Sequence, residues 1–377
     1  MPVEFARGLE GVYAARSVLS KVDGEKGRLL YVGYPIEDLA QHSSFEEVCF
    51  LLWYRRLPGK DELEELDRKM RENRDLPKPA VDLIRKLPRN MHPMDALRTV
   101  VSFLSSFDEE LEVQTPEANL NKSIRITARM TTIGAYFDRI RNGLKPVKPD
   151  LSLSHAANFL WMMHGKKPSE LEARTMDVSF ILHADHGMNA STFANLVTIS
   201  TLSDIYSAVC TGISTLKGPL HGGANEQVVK MLQQIGTLEN VEPWLNEALA
   251  KKYKIMGFGH RVYKAYDPRC TILKEYARKL SEYRNNWTFY QMGDKIESLL
   301  LPKLGQKNVY PNVDFYSGIV YYHLNIPVDM YTPIFAMSRV SGWTARAMEY
   351  LEDNRIFRPL DDYVGPEERP YVPIDQR

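Results

Sequence analysis

Apolar residues recur at helical spacing along almost the whole chain, and the one β-like run, Arg28-Leu29-Leu30-Tyr31-Val32-Gly33-Tyr34-Pro35, stands near its N-terminus. The fold class expected is therefore mainly α. Start and stop signals divide the pattern. Ser44 followed by Glu47 reads as a capping box ahead of Val48, Phe50, Leu51 and Leu52, with Pro58-Gly59 as the stop. Leu63, Leu66 and Met70 form the next stripe. Thr115-Pro116-Glu117 opens a long segment that Asn142-Gly143 closes, and Ser154 to His164 and Pro168 to His183 follow with similar punctuation. Thr192 to Leu216 is apolar and rich in small residues, as in a helix or helix pair packed on several sides.

A length of 377 residues suggests two or three domains at roughly 150 residues each. Glycine-interrupted turns crowd the region from about Gly218 to Tyr321, and a long apolar helical pattern resumes from Tyr331 to Glu352. This predicts a large helical domain, residues 1–217 and 322–377, with a smaller helical domain inserted at 218–321. Lys plus Arg and Asp plus Glu are equal at 48 each, so no overall basic field exists to hold nucleic acid or an anionic membrane. An anionic ligand must meet local positive charge. Three scattered cysteines, Cys49, Cys210 and Cys270, fit neither a disulfide framework nor a thiolate metal site. The segment Met1 to Arg7 lacks an apolar signal core and no stretch approaches the roughly 20 apolar residues that span a bilayer, so a cytoplasmic location is expected.

Three loops combine glycines, which let backbone approach a ligand, with a side chain that handles protons. They are Gly218-Pro219-Leu220-His221-Gly222-Gly223, Gly257-Phe258-Gly259-His260-Arg261-Val262-Tyr263 leading to Asp267-Pro268-Arg269, and Tyr310-Pro311-Asn312-Val313-Asp314. A lone histidine beside glycines is more often a turn residue than a catalyst. Two such histidines with a loop carboxylate supply a base and two hydrogen-bond donors, the set a carbon acid needs when its enol forms and attacks a carbonyl.

These three segments resemble the catalytic segments of the citrate synthase family. The resemblance extends, in family order, through Ala184-Asp185-His186-Gly187-Met188-Asn189-Ala190-Ser191-Thr192, Phe335-Ala336-Met337-Ser338-Arg339 and Asn354-Arg355-Ile356-Phe357-Arg358-Pro359, and runs from Gly8 to Gly365. It implies a multi-helical enzyme that condenses acetyl-CoA with oxaloacetate and hydrolyses citryl-CoA to citrate and CoA. In that reading Asp314 is the base, His221 the donor to the thioester oxygen, and His260 the group that polarises the ketone. Arg269, Arg339 and Arg358 clamp the carboxylates, with His186 and Asn189 as further substrate contacts; the planar, permanently charged guanidinium suits carboxylate.

The resemblance places CoA on Lys254-Ile255-Met256-Gly257-Phe258, with Arg261 and Lys264 adding positive charge nearby. Acetyl-CoA is then a co-substrate, and neither a resident cofactor nor a metal is expected. It also implies a homodimer in which Arg358 reaches the partner's site, the segment after Asn354 carrying few helical signals. Leu360 and Val32 depart from the residues common in the family at those positions. A 2-methylcitrate synthase using propionyl-CoA shares these motifs, and a metal-dependent hydrolase built on His183 and His186 is a distant alternative.

Overall fold

The computed structural model describes residues 5–377, so the expectation about the first four residues lies outside it. The β-like run is real but divided, because Val32 and Gly33 both take positive φ (48° and 89°) and turn the chain between β2 (Arg28–Tyr31) and β3 (Tyr34–Pro35). Two consecutive positive-φ residues make the tight hairpin turn that matches strand twist; a β-branched residue there is strained. An additional strand, β1 (Ser20–Asp23), pairs antiparallel with β2 through Ser20–Tyr31 and Asp23–Arg28. Its four residues are too few and too polar to carry a periodicity signal.

Everything else regular is helical. The chain continues through α1 (Ile36–His42), α2 (Phe45–Tyr54), α3 (Lys60–Glu72), α4 (Lys78–Lys86), α5 (Pro93–Leu104), α6 (Pro116–Arg141), α7 (His155–His164) and α8 (Glu170–His183). Then come α9 (Ala190–Ile199), α10 (Ile205–Leu216), α11 (Ala224–Ile235), α12 (Val241–Ala250), α13 (Pro268–Tyr283), α14 (Thr288–Leu304), α15 (Val313–His323) and α16 (Tyr331–Leu351). None of these is long and apolar enough to cross a membrane.

Local chemistry explains the boundaries. Ser44 caps α2 by accepting the Glu47 N–H at 3.2 Å, but the Glu47 carboxylate accepts from the Ser43 hydroxyl at 2.6 Å, so only half of the expected capping box forms. Helix α2 stops before Pro58-Gly59, at Arg55 in the left-handed region (φ 58°). The segment Thr192 to Leu216 proves to be a helix pair: Leu202 turns left-handed (φ 63°) and the Asp204 side chain caps α10 on the Ser207 N–H at 2.9 Å.

Helix α16 is the axis of the larger part, buried continuously from Tyr331 to Ala347 and packed by α2, α6, α8, α9 and α10. Close approach at its flanks needs glycine. A Cβ on Gly212 of α10 would lie 2.8 Å from the Trp343 ring, and one on Gly134 of α6 would lie 2.0 Å from the Met337 methyl. Helices α11 to α15 pack chiefly on one another, with α13 the principal bridge back to α1 and α8.

Candidate active site

The loops carrying His260 and Asp314 form one unit. Gly259 N–H donates to the Tyr310 carbonyl at 2.8 Å, Asn312 N–H to the Gly257 carbonyl at 2.9 Å, and the Asn312 amide to the Gly259 carbonyl at 2.8 Å. Gly257 has φ 78°, and a Cβ there would lie 2.8 Å from Phe315, so this backbone admits only glycine. Asp267 ties in the following helix: its carboxylate accepts from the Val313 N–H at 3.1 Å and from the Arg269 N–H at 3.0 Å.

Hydrogen bonds fix the proton position on both loop histidines. His260 Nδ1 accepts two backbone N–H groups, Val262 at 3.0 Å and Tyr263 at 3.1 Å, so its proton sits on Nε2. His221 is the reverse case. Its Nε2 receives the Ser191 N–H at 3.3 Å and lies 2.8 Å from the Ser191 hydroxyl, which leaves the proton on Nδ1. Trp343 Nε1 holds that hydroxyl at 3.2 Å, so α16 sets the ring orientation through one intermediary. Burial pushes both histidines down to about 4, helped by Arg339 at His221 and by Arg269 at His260. Each is thus a neutral imidazole with one N–H to offer at neutral pH.

Asp314 stands in the first turn of α15, and its Oδ1 is buried with no hydrogen-bond partner among the described residues. Burial pushes its carboxyl up to about 7, with Asp267 adding to the rise and Arg269 and Arg339 opposing it. An unpartnered carboxylate oxygen poised near neutrality is a competent proton acceptor. The arginines are unequal. Arg269 is paired bidentately with Asp267 at 3.0 and 2.8 Å, and although burial alone would depress it, that partner raises it further. Arg339 is buried to 1%, stacks 4.8 Å over the Phe335 ring and donates Nε to the His183 carbonyl at 2.7 Å, yet no described carboxylate lies within salt-bridge distance. Burial brings it down to about 10, so it remains a cation awaiting an anion.

The remaining expected site residues fall around this centre. His186 is buried, 5.2 Å ring to ring from His260, with Nε2 3.1 Å from the Tyr263 hydroxyl; burial and then Arg269 hold it well below its ordinary value. Phe335 touches both His183 (4.8 Å between rings) and His221 (6.5 Å), which joins α8, the first loop and α16 in one cluster. Asn189 spends its carbonyl oxygen capping α9, accepting from the Thr192 N–H at 3.0 Å, with the Ser191 hydroxyl oxygen 2.8 Å away. In the CoA segment Ile255 and Phe258 are buried anchors, Met256 is half-buried, and Lys254, Arg261 and Lys264 are exposed. Lys254 is close enough for its charge to register at Asp314.

Arg358 is not brought to the cluster within its own chain: it is exposed and donates only to the adjacent Pro359 carbonyl. No group of three or more His, Cys, Asp or Glu side chains is placed to hold a metal among the described residues, and His183 Nδ1 is spent on the Ser179 carbonyl at 2.7 Å. Sequence reasoning missed the supports: Ser191, Trp343, and the fully buried Arg346–Asp185 pair at 2.7 Å that backs Arg339. Ser191 and Asp185 lie inside motifs already singled out, whereas Trp343 and Arg346 carry no local signal.

Known proteins match this arrangement along its length. A sequence model of a family described as "Citrate synthase, C-terminal domain" matches residues 8–360. Citrate synthase 2 of Bacillus subtilis is 47% identical over 98% of this chain and 99% of its own length. A citrate/2-methylcitrate synthase of the same organism is 40% identical over 96% and 97%. The solved citrate synthase of Thermoplasma acidophilum, in a ternary complex with carboxymethyl coenzyme A and oxaloacetate, superposes with a TM-score of 0.94 at 37% identity, covering 99% of this chain and 100% of that one. A helical chain with two neutral loop histidines, one raised loop carboxylate and this full-length likeness belongs to the citrate synthase family.

Proposed function

We propose that Asp314, His221 and His260 carry out the family's condensation of acetyl-CoA with oxaloacetate here, and that the same cleft hydrolyses the citryl-CoA formed. The observation that carries the assignment is the buried Asp314 Oδ1 with no hydrogen-bond partner among the described residues, together with two loop histidines that are uncharged N–H donors. Asp314 accepts a proton from the acyl methyl group, and the electron pair of that C–H bond moves toward the thioester oxygen, which His221 steadies through Nδ1–H. The enol carbon bonds to the ketone carbon of oxaloacetate, whose oxygen takes its hydrogen bond and then its proton from His260 Nε2; His260 regains a proton from solvent as Asp314 releases the one it took. Water then attacks the thioester carbonyl of citryl-CoA and the C–S bond breaks, releasing CoA thiol.

Arg339 and Arg269 bind the two carboxylates of oxaloacetate, with His186 lining the same side and Asn189 holding the Ser191 turn in place. The CoA chain lies along 254–258, its phosphates met by Lys254, Arg261 and Lys264. Residues 218–321 act as the inserted domain, closing on the larger part when a dicarboxylate bridges Arg269 and Arg339. Three reduced thiols fit a cytoplasmic setting.

Steady-state assays of thiol release test this reading and its neighbour together. With oxaloacetate present, acetyl-CoA is expected to exceed propionyl-CoA in kcat/KM by roughly 10- to 200-fold, the discrimination one methylene allows. Parity, or a preference for propionyl-CoA, would assign the protein to 2-methylcitrate synthesis. Chelator alone is expected to change nothing; its removal of activity would favour the metal hydrolase.

The active unit is a homodimer in this reading. Residues 358–377 are exposed throughout, including Leu360 (80%), Val364 (88%) and Tyr371 (79%), a tail whose apolar side chains find no cover in their own chain. It stays pinned only as far as Phe357, whose N–H reaches the Ser200 hydroxyl at 3.2 Å. If Arg358 completes the partner's site, co-refolding Arg358→Ala with Asp314→Asn chains restores one site in each mixed dimer, because one site then carries both defects and the other neither. Mixed dimers verified by mass spectrometry but inactive would show that Arg358 serves its own chain or no substrate.

A further inference from the structure

Glu297 of α14 is a buried carboxylate, 5% exposed, and its two oxygens collect groups from three separate segments of the site's scaffold. The Tyr266 hydroxyl donates to Oε1. The Tyr316 hydroxyl donates to Oε2 at 2.6 Å, and Lys274 Nζ of α13 to the same oxygen at 3.0 Å, with Asp294 as its second partner at 2.7 Å. Tyr266 immediately precedes Asp267, the counter-ion of Arg269. Tyr316 lies two residues after Asp314 on α15.

The Tyr266 strap is also pressed against the β1–β2 hairpin. A Cβ on Gly27 would lie 2.6 Å from the Tyr266 carbonyl oxygen, and Lys264 N–H donates to the Gly24 carbonyl at 2.9 Å. The strap therefore cannot shift without disturbing the larger part. Hydrophobic packing alone does not fix the sliding of two helices and a strap to a few tenths of an ångström, whereas convergent charge-assisted hydrogen bonds do.

Building on the roles given above to Arg269 and Asp314, we propose that Glu297 is a positioning residue: it locks the Tyr266 strap to Tyr316 of α15, so that the carboxylate-binding arginine and the catalytic base keep a fixed separation. Each phenol then governs one half of the reaction. Tyr316 sets where Asp314 meets the acyl methyl, and Tyr266 sets where Arg269 meets the dicarboxylate.

Kinetics of Tyr316→Phe, Tyr266→Phe, Glu297→Gln and Glu297→Ala in the full-length protein test this, with thermal unfolding measured alongside. Misplacement by about 1 Å can cost up to about a hundredfold in rate. Tyr316→Phe is expected to lower kcat about tenfold with the oxaloacetate KM unchanged, and Tyr266→Phe to raise the oxaloacetate KM about tenfold with kcat nearly kept. Glu297→Ala combines both losses, and Glu297→Gln, which still accepts one hydrogen bond, recovers part of them. Tyrosine variants that lower the melting temperature without this split in kcat and KM would make the network merely structural and overturn the proposal, even if Glu297→Ala fails to fold. Wild-type protein inactive with oxaloacetate and acetyl-CoA would instead sink the functional reading itself.

Discussion

Asp314→Asn is expected to lower condensation turnover a thousandfold or more while leaving acyl-CoA binding nearly intact. The amide preserves the shape of the carboxylate but offers no basic oxygen, and general-base catalysis contributes typically about 10²- to 10⁴-fold. Exchange of the methyl hydrogens of an acyl-CoA with solvent should vanish with the turnover. The wild-type kcat/KM for acetyl-CoA should climb as pH rises through about 7, where this carboxyl ionises, and then level off. Turnover within tenfold of wild type would remove Asp314 from the role of base.

The same substitution has an opposite effect on stability. In the folded chain the Asp314 carboxyl keeps its proton up to about pH 7, whereas unfolded it releases it near 3.8, so the wild type loses stability as pH rises between those values. Asn removes that loss. Discounted for the solvent that reaches a half-buried side chain, the gain at pH 8 is on the order of 2 kcal/mol, and it should disappear at pH 4. Urea unfolding of both proteins at the two pH values would measure it. A variant less stable than wild type at pH 8 would mean that the carboxylate is not strained by its surroundings.

The second large effect concerns Arg339→Gln, for which oxaloacetate affinity should fall about a hundredfold to a thousandfold. Truncating one partner of a buried, hydrogen-bonded charge pair costs about 2–5 kcal/mol. Here the partner arrives only with the ligand, because the guanidinium lies buried with the His183 carbonyl and the Phe335 ring as its direct contacts, and Asp185 belongs to Arg346. The free protein should therefore keep or gain stability when the charge is removed, and calorimetry should find oxaloacetate strengthening acyl-CoA binding in the wild type, through closure on Arg269 and Arg339, but not in the variant. Arg339→Lys keeps the charge but not the fork, and should fall between the two. Unchanged oxaloacetate binding in Arg339→Gln would show that Arg269, despite its pairing with Asp267, is the principal anchor.

The sequence by itself was enough for the helical class, for the ends of α6, α7, α8 and α16 and for the three loops that carry His221, His260 and Asp314. Those properties are local. Apolar spacing, capping side chains and glycine–proline punctuation act within a few residues of themselves, and a motif of consecutive residues keeps its pattern wherever it folds. Boundaries failed where a residue without a turn signature, such as Arg55 or Val32, took the left-handed region under tertiary constraint.

What only the tertiary structure decided is how the chemistry is tuned. The tautomer of His221 depends on Ser191 and Trp343, 30 and 122 residues away from it in the chain. The raised carboxyl of Asp314, the unpaired state of Arg339 and the convergence of Tyr266, Tyr316 and Lys274 on Glu297 are likewise products of burial and of neighbours brought in from other helices. Electrostatic tuning depends on the distances between groups and on how much water is excluded around them, and neither is defined until the helices have packed.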